Sequence, residues 1–361
     1  MATKDNELYV YIYDYKDPRY PFQFFIGSRG DGKTYGSLGG AIEEDDVGKF
    51  CYSRVTDKEW RILLSTRGGD GSNPFKNYNS KNGTNYGLEK INDALAGIYA
   101  RETCEDGKFR CIGAPIGYSA ALYNIADIRG QDFTDCTDWI LDEFVPEKHK
   151  RALPDMADAF FNAYETMNRN RELDGEPPMR FWGISNSNNI YNDMFKGLGL
   201  VADLEKMTRK GLTDKYYPDR RLAVHLLKNS KIFEEAKAKT ALYQLAKGTR
   251  FADMALGNEF AYDDFSLVEY VKLKGYVPIT SIRTHKDGTY VAFYGRKGGS
   301  DIYASYAFAE HLENFNIGKD HEKKLFKELY GQKIYNKYIL GKLRFESYEI
   351  KCIVLDLVAK R

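Results

Sequence analysis

The residues with the clearest chemical potential lie in a glycine-rich stretch near the start of the chain. They match the pattern G-x-x-x-x-G-K-[ST], and they are Gly27, Ser28, Arg29, Gly30, Asp31, Gly32, Lys33 and Thr34. The glycines allow a tight turn whose N–H groups point at an anion, Lys33 can reach β- and γ-phosphates, and Thr34 can hold Mg²⁺. The alternative is an ordinary glycine-rich hairpin turn. The apolar run over residues 22–26 favours a strand, a loop and a helix that bind a nucleoside triphosphate.

Two acids, Asp142 and Glu143, end a second apolar run that begins at Thr137. In a phosphate-loop enzyme the first acid holds Mg²⁺ through water, and the second polarises the attacking water. Solvated acids at a strand end are the alternative, but the glycine-rich loop upstream favours the functional interpretation. A glutamate directly after the metal-holding aspartate indicates a hydrolysing ATPase rather than a kinase.

Three further polar residues each have more than one interpretation. Asn186 ends the run at residues 180–186, where it would orient water beside the γ-phosphate, relay phosphate loss, or simply cap the strand. Arg169 and Arg171 follow an amphipathic helix. Either is an arginine finger for a neighbouring subunit's nucleotide, or both belong to a solvated helix end favoured by the macrodipole. The residues alone leave these alternatives open.

Composition limits the class of protein. The chain has 361 residues, 43% hydrophobic and 29% charged, with a net charge of +1, which predicts a globular protein of about two domains. Any DNA-binding surface must be a local basic patch, because a chain that binds nucleic acid over its whole surface is more basic. Five cysteines without a C-x-x-C pair indicate free thiols in a reducing cytoplasm. Neither a membrane span nor a secretory leader is predicted.

Apolar runs alternate with helical patterns through the first part of the chain. Strands are predicted at 22–26, 49–55, twice within 97–116, and at 137–144, 180–186 and 221–227, with helices after Lys33 and over 153–167. This alternation predicts a parallel sheet with helices on both faces. Residues 66–87, rich in Gly, Asn, Ser and Lys, are predicted to be a surface loop. Residues 8–15 predict a short strand, or an aromatic side chain against adenine.

The chain is divided into an ATPase domain at 1–228, a helical linker at 229–260 and an α+β domain at 261–361. The last domain should contain a three-strand meander at 276–283, 290–294 and 301–303, and helices at 306–315, 320–330 and 345–359. Its strands offer few acids, chiefly Asp287 and Asp301, and His311 and His321 are expected at the surface, so a two-metal nuclease site is not expected. A basic patch for nucleic-acid binding or docking would contain Lys272, Lys274, Arg283, Lys286, Arg296 and Lys297.

Taken together, the motifs resemble those of the DNA-packaging ATPases of phi-29-like tailed phages. The resemblance is carried by residues 25–35, 142–144, 168–172 and 184–186, in that family's order, and the Arg-Asn-Arg-Glu run at 169–172 separates the family from other phosphate-loop enzymes. It implies an α/β P-loop NTPase fold of the ASCE class, RecA/FtsK-like and large-terminase-like. It also implies a C-terminal domain that resembles a ribonuclease-H-type nuclease without its metal-binding acids.

The same resemblance implies partners and a place in the cell. Identical subunits would form a ring, a pentamer, docked on the portal of an empty procapsid in the cytoplasm of the infected bacterial host. ATP with Mg²⁺ would drive double-stranded DNA through the ring, with no membrane involved. Some relatives also use a structural packaging RNA.

Residue by residue, Arg169 matches the family's trans-acting arginine finger, and Arg129 falls where the family has a lysine that reaches the neighbouring nucleotide. Lys58 lies near the family's DNA-facing basic loop, with Arg54 and Arg61 as further candidates. The alternatives are a RecA-like helicase or another nucleic-acid motor, and an NTP-binding scaffold that no longer hydrolyses. The intact Asp142–Glu143 pair (residues 142–143) argues against the scaffold.

Overall fold

Long apolar runs such as Phe22–Gly27 form the central strands of a mixed sheet. The structure is a computed structural model. It describes residues 9–64, 72–128, 130–145, 155–186, 189–249, 264–284, 288–310 and 312–359.

The first sheet has nine strands within the described residues. They are β1 (Phe22–Gly27), β2 (Lys49–Arg54), β3 (Tyr86–Lys90), β4 (Ala96–Thr103), β5 (Phe109–Ala121), β6 (Cys136–Asp142), β7 (Arg180–Asn186), β8 (Asp214–Tyr217) and β9 (Leu222–Leu226). Their spatial order is β3-β4-β5-β2-β6-β7-β1-β9-β8. The six strands from β5 to β9 in this order are parallel, and β3, β4 and β8 pair antiparallel at the two edges. The predicted α/β class with a parallel sheet is therefore confirmed.

Helices connect these strands, as parallel pairing requires. They are α1 (Lys33–Glu43), α2 (Asp57–Leu63), α3 (Lys76–Asn82), α4 (Leu122–Ile125), α5 (Met156–Asn168), α6 (Asp193–Gly197), α7 (Val201–Lys210), α8 (Lys231–Ala238) and α9 (Ala241–Leu245). Residues Ile12–Tyr15 form a 3-10 turn rather than the predicted short strand.

Both faces of the sheet are covered. On one face Phe24 and Trp139 pack with Phe160 of α5, which stacks on the indole of Trp139 at a centroid distance of 5.6 Å. On the other face Phe25 stacks on Trp182 at 6.2 Å. All five side chains are almost completely buried, and each such burial contributes about 1.5–3 kcal/mol. Burial on both faces explains why these strands are continuous apolar runs rather than alternating ones.

The later part of the chain forms a second, five-stranded sheet within the described residues, ordered β13-β10-β11-β12-β14. Its strands are β10 (Tyr276–Arg283), β11 (Tyr290–Arg296), β12 (Ile302–Ser305), β13 (Asn314–Asn316) and β14 (Leu343–Phe345). The antiparallel meander β10-β11-β12 agrees with the sequence-based expectation. Its helices are α10 (Asp320–Phe326), a π turn (Lys327–Gly331), α11 (Gln332–Ile339) and α12 (Tyr348–Val358).

Two further sequence-based predictions of local structure are wrong. The supposed loop at 66–87 contains α3, because Phe75 and Tyr78 are buried and anchor this polar segment to the core. The helix expected at 306–315 is absent from the described residues there. Phe315 instead lies in β13, where it pairs in parallel with Ile282 and is 6% exposed. In both places tertiary burial outweighs local propensity.

Contacts divide the chain into two units. Of the described residues, 9–200 and 206–249 belong to the first unit, and 201–205 and 264–359 to the second. The described part of the expected linker, residues 229–249, falls within the first unit. No helix in the described ranges is long and apolar enough to cross a bilayer.

Candidate active site

The glycine-rich loop joins the end of β1 to the start of α1, as the sequence predicts. Gly30 and Gly32 have φ angles of 79° and 88°, a left-handed conformation that favours glycine. The Ser28 hydroxyl donates to Asn229 Oδ1 at 2.6 Å, which fixes the entrance of the loop against the segment after β9. A Cβ atom at Gly27 would lie 2.2 Å from Asp31 Oδ2, so the loop closes tightly over this position.

Lys33 has protein partners in this structure. Its Nζ donates to Asp31 Oδ1 at 2.8 Å, to Asp31 Oδ2 at 2.9 Å and to the Ser28 carbonyl at 2.8 Å. Lys33 and Asp31 are 6% and 4% exposed, so this is a buried ion pair. The Lys33 backbone N–H also points at Asp31 Oδ1, at 3.3 Å. The Asp31 carboxylate therefore accepts hydrogen bonds from the lysine expected to hold phosphate.

Asp142, the last residue of β6, lies beside the start of α1. Its Oδ2 accepts from the Thr34 hydroxyl at 3.1 Å and from the Tyr52 hydroxyl at 2.7 Å. Burial and the neighbouring Asp142 carboxylate raise the pKa of Tyr52, which keeps its phenol protonated and donating. A hydroxyl and a carboxylate at this separation form an oxygen pair suited to Mg²⁺.

Glu143 follows directly and has a strained backbone, with φ at 55°. Its N–H donates to the Ile184 carbonyl at 2.8 Å, which fixes the turn at the strand end. The side chain, 45% exposed, forms an ion pair with Arg54, whose other terminal nitrogen donates to Asp142 Oδ2 at 3.2 Å. Although burial lowers the pKa of Arg54, the nearby Tyr52, Asp142 and Glu143 raise it above its usual value. Arg54 Nε is buried without a hydrogen-bond partner among the described residues.

Strand register brings these groups to one edge of the sheet. Gly27 is paired with Asn186, Ile184 with Asp142, and Asp142 with Arg54. A cavity of about 570 Å³ opens at this edge. Its lining contains the predicted loop residues Arg29 to Thr34 together with Asp142, Glu143 and Asn186. The structure thus gathers the glycine-rich loop, the two acids and the strand-tip asparagine in one place.

The same cavity is also lined by residues to which the sequence assigned no individual role. They are Tyr35, Asn77, Lys81 and Ser185, of which Tyr35 and Ser185 lie in the runs that carry the family resemblance, and Tyr9 joins them from the segment before the 3-10 turn. Tyr9 belongs to the aromatic run for which an adenine contact was one expectation. Lys81 was missed because α3 was taken for a loop.

The donor set fits a magnesium nucleotide. No group of three or more His, Cys, Asp or Glu side chains that could hold a metal occurs in the described part of the chain. A site with two protein oxygens, from Thr34 and Asp142, agrees with the preference of Mg²⁺ for few protein ligands plus phosphate and water. The N–H groups at the start of α1 and the positive end of that helix would complete an anion site.

The two candidate finger arginines differ in environment. Arg171 donates to the carbonyls of Thr134, Cys136 and Pro177 at 2.8–3.1 Å, so it ties the α5–β7 connection to the start of β6. Arg169, at φ 49°, has a more exposed contact to the Gln131 carbonyl at 2.6 Å. Neither lines the cavity. Arg129 lies outside the described residues.

The three candidate DNA-binding residues lie in two different environments. Arg54 lies in the candidate active site, where it is 16% exposed and paired with Asp142 and Glu143 rather than presented to solvent. Lys58 and Arg61 are exposed on α2, where Arg61 forms an ion pair with Asp57 at 2.6 Å. Helix α2 begins with a capping box in which Thr56 and Glu59 exchange hydrogen bonds.

The second unit contains the acids and histidines for which no metal-binding role was expected. Asp301 is 3.8 Å from Arg296, and His321 is 80% exposed. Asp287, Lys286 and His311 lie outside the described residues.

Comparison with known proteins supplies the family. The family model described as Podovirus DNA encapsidation protein (Gp16) matches residues 106–361, well over half of the chain. The DNA packaging protein of Bacillus phage B103 is 24% identical over 350 residues, covering 93% of this chain and 96% of the relative. The DNA packaging protein of Bacillus phage phi29 is 26% identical over 163 residues, 45% of each chain.

Two solved structures share the fold. A chain of the bacteriophage Phi-29 viral genome packaging motor assembly is 20% identical, with a TM-score of 0.62, covering 97% of this chain and 98% of that one. A chain of the Phi-28 gp11 DNA packaging motor is 17% identical, with a TM-score of 0.54 and 95% coverage of both. The resemblance inferred from the motifs is confirmed. The chain belongs to the Podovirus DNA encapsidation protein (Gp16) family.

Proposed function

We propose that this chain is an ATPase that drives double-stranded DNA into a viral procapsid through its portal. The observation that carries the proposal is the gathering of Lys33, Thr34, Asp142, Glu143 and Asn186 around one cavity at the carboxyl edge of parallel strands. Family membership supplies the process that this chemistry would drive, since the relatives are DNA packaging proteins.

Each residue has a defined task in this proposal. Lys33 leaves Asp31 to contact the β- and γ-phosphates, and Thr34 and Asp142 would hold Mg²⁺. When bound, Mg²⁺ neutralises charge on the phosphates and so assists loss of the terminal one. Glu143 accepts a proton from the attacking water once its carboxylate leaves Arg54, and Asn186 orients that water or relays the loss of phosphate.

The assembly is part of the same proposal. Arg169 is the finger that reaches a neighbouring subunit's nucleotide, because it matches the family's trans-acting arginine and its contact to the Gln131 carbonyl is exposed. Arg171 instead ties the carbonyls of Thr134, Cys136 and Pro177 of its own chain. Arg129 is proposed to reach the neighbouring subunit's nucleotide as well. The subunits then form a ring, a pentamer, on the procapsid, with DNA contacted by Lys58 and Arg61, and a packaging RNA is an optional partner.

The fold assignment follows from the proposed chemistry. The first unit is a P-loop ATPase of the ASCE class, and the second resembles a ribonuclease-H-type nuclease that has become a docking or nucleic-acid-binding module. A helicase with the same residues would separate strands, whereas the packaging motor moves intact duplex.

The test is DNA-stimulated ATP hydrolysis by the full-length protein on procapsids. Wild type should hydrolyse ATP, and Glu143→Gln and Arg169→Ala should each lose at least about a hundredfold in kcat. A mixture of the two variants should recover activity, because an intact finger then meets an intact acid across an interface. Full activity of Arg169→Ala would refute the shared site, and unwinding of duplex DNA would favour the helicase.

A further inference from the structure

Helix α3 brings one lysine into the candidate nucleotide cavity. Lys81 lines the same cavity of about 570 Å³ as Lys33 and Glu143. Its Nζ lies 4.3 Å from the ring centroid of Tyr9 and 4.6 Å from that of Tyr35. Within the described residues its ammonium group has no carboxylate partner.

The position of this lysine is fixed by contacts between α3 and α1. The Tyr78 hydroxyl donates to Glu43 Oε1 at 3.1 Å, and Asn82 Nδ2 donates to the Tyr35 hydroxyl at 3.5 Å. The rings of Tyr35 and Tyr78 also meet, at 6.0 Å. Tyr35 directly follows Thr34, so Lys81 is anchored beside the helix turn that receives the phosphates.

The side chain itself can move. Lys81 is exposed, and cation–π contacts at exposed positions are weaker than a charge-assisted hydrogen bond to a phosphate oxygen. A lysine has a long flexible stem and three donors that adapt to different acceptors. An incoming triphosphate therefore offers this ammonium group a better partner than the two rings do.

The charges of the site point the same way. Lys33 is paired with Asp31, and Arg54 is paired with both Asp142 and Glu143. Lys81 also lines the cavity, but its ammonium group contacts the aromatic rings of Tyr9 and Tyr35 rather than an acid.

We propose that Lys81 leaves the two tyrosine rings and contacts the polyphosphate of the bound nucleoside triphosphate, so that α3 responds to nucleotide. This inference rests on the proposed function, since it assumes that the cavity receives ATP. It adds a second phosphate-binding lysine, in cis and from outside the glycine-rich loop.

The experiment measures binding of a fluorescent ATP analogue to the full-length protein, with competition by adenosine. Lys81→Met keeps the apolar stem and should lower ATP affinity about ten- to fiftyfold, with adenosine affinity unchanged. Lys81→Arg should restore most of the ATP affinity. Lys76→Met, which removes an exposed lysine of the same helix outside the cavity, should bind ATP like wild type.

Two results would overturn the inference. One is ATP affinity of Lys81→Met within twofold of wild type. The other is an equal loss of ATP and adenosine affinity, which would mean that Lys81 only supports the tyrosine rings. A different result would refute the proposed function itself: equal ATP affinity of wild type and Lys33→Ala.

Discussion

Replacing Asp31 with asparagine should strengthen nucleotide binding. In this structure the Asp31 carboxylate contacts Lys33 Nζ with both oxygens, at 2.8 and 2.9 Å, in a buried setting. A bound triphosphate has to share this ammonium group with Asp31 or remove it from Asp31. Asparagine keeps the shape and an acceptor oxygen but removes the competing negative charge.

The size of the effect follows from the distances. If Lys33 contacts Asp31 and a phosphate oxygen at once, the two anions lie at most about 5.6 Å apart. Unit charges at that separation repel by about 3 kcal/mol at an effective dielectric constant of roughly 20, and by about 1.5 kcal/mol at roughly 40. Removing this repulsion corresponds to about a 10- to 150-fold tighter complex.

Without nucleotide, Asp31→Asn should make the folded protein less stable. Asp31→Asn leaves the Lys33 ammonium buried with only the Ser28 carbonyl and a neutral amide. Loss of one partner of a buried ion pair costs up to about 3–5 kcal/mol. Thermal unfolding without nucleotide should therefore show a lower midpoint, while added ATP should give a larger upward shift than in wild type.

The assay is titration with a fluorescent ATP analogue at constant Mg²⁺ and salt. Asp45→Asn is the matched control, because Asp45 is an exposed acid just after the other end of α1. That control should bind like wild type. Weaker or unchanged ATP binding by Asp31→Asn would show that the carboxylate does not compete with phosphate.

Two further predictions concern stability. Arg171→Ala should cost about 2–3 kcal/mol in thermal or urea unfolding, because it removes hydrogen bonds to three carbonyls, whereas Arg169→Ala should cost less than about 1 kcal/mol; equal costs would contradict the distinct roles of the two residues. Burial raises the pKa of Asp264, but hydrogen bonds from Lys351 and Ser266 outweigh burial and lower it to about 2, from 3.8. The folded pKa is the lower one, so the stabilisation is present above about pH 4 and is lost as pH falls through about 2. The stability difference between wild type and Asp264→Asn, from urea unfolding at each pH, should shrink over that window, and a constant difference would exclude the linkage.

Much of the candidate active site could be predicted from sequence because its residues follow buried strands. Gly27, Asp142 and Asn186 each end an apolar run, and parallel strands place their carboxyl ends at one edge. The apolar runs do not, however, predict the spatial order of the strands in the sheet. Only the pairing of β7 with both β1 and β6 places Asn186 between the loop and the acids.

Residues outside the motifs were harder to predict for a physical reason. Arg54 ends β2, and its role depends on register pairing with Asp142, a contact across 88 residues of chain. Lys81 belongs to a segment of low helix propensity that becomes helical because Tyr78 is buried. Such assignments depend on long-range packing, which periodicity does not report.

In the proposed mechanism, the ion pairs of Lys33 and Arg54 separate nucleotide binding from hydrolysis. Lys33 is held by Asp31, and Arg54 by Asp142 and Glu143, so at these two cations an incoming nucleotide would have to exchange ion-pair partners. Exchange at Lys33 permits binding. Exchange at Arg54 is a different event, and in the proposed mechanism it releases the Glu143 carboxylate to face the attacking water.

That second exchange requires little backbone movement. The Glu143 N–H is bonded to the Ile184 carbonyl, and its strained φ of 55° is part of this fixed turn, so rotation of the side chains is the simplest way to separate Glu143 from Arg54. Arg54 Nε, buried without a partner in the described part of the chain, gives the guanidinium an unsatisfied donor that a new arrangement can satisfy. In the proposed mechanism, binding of ATP and activation of Glu143 are therefore two steps at two ion pairs, and a signal that acts on Arg54 alone would start hydrolysis in a site that already holds ATP.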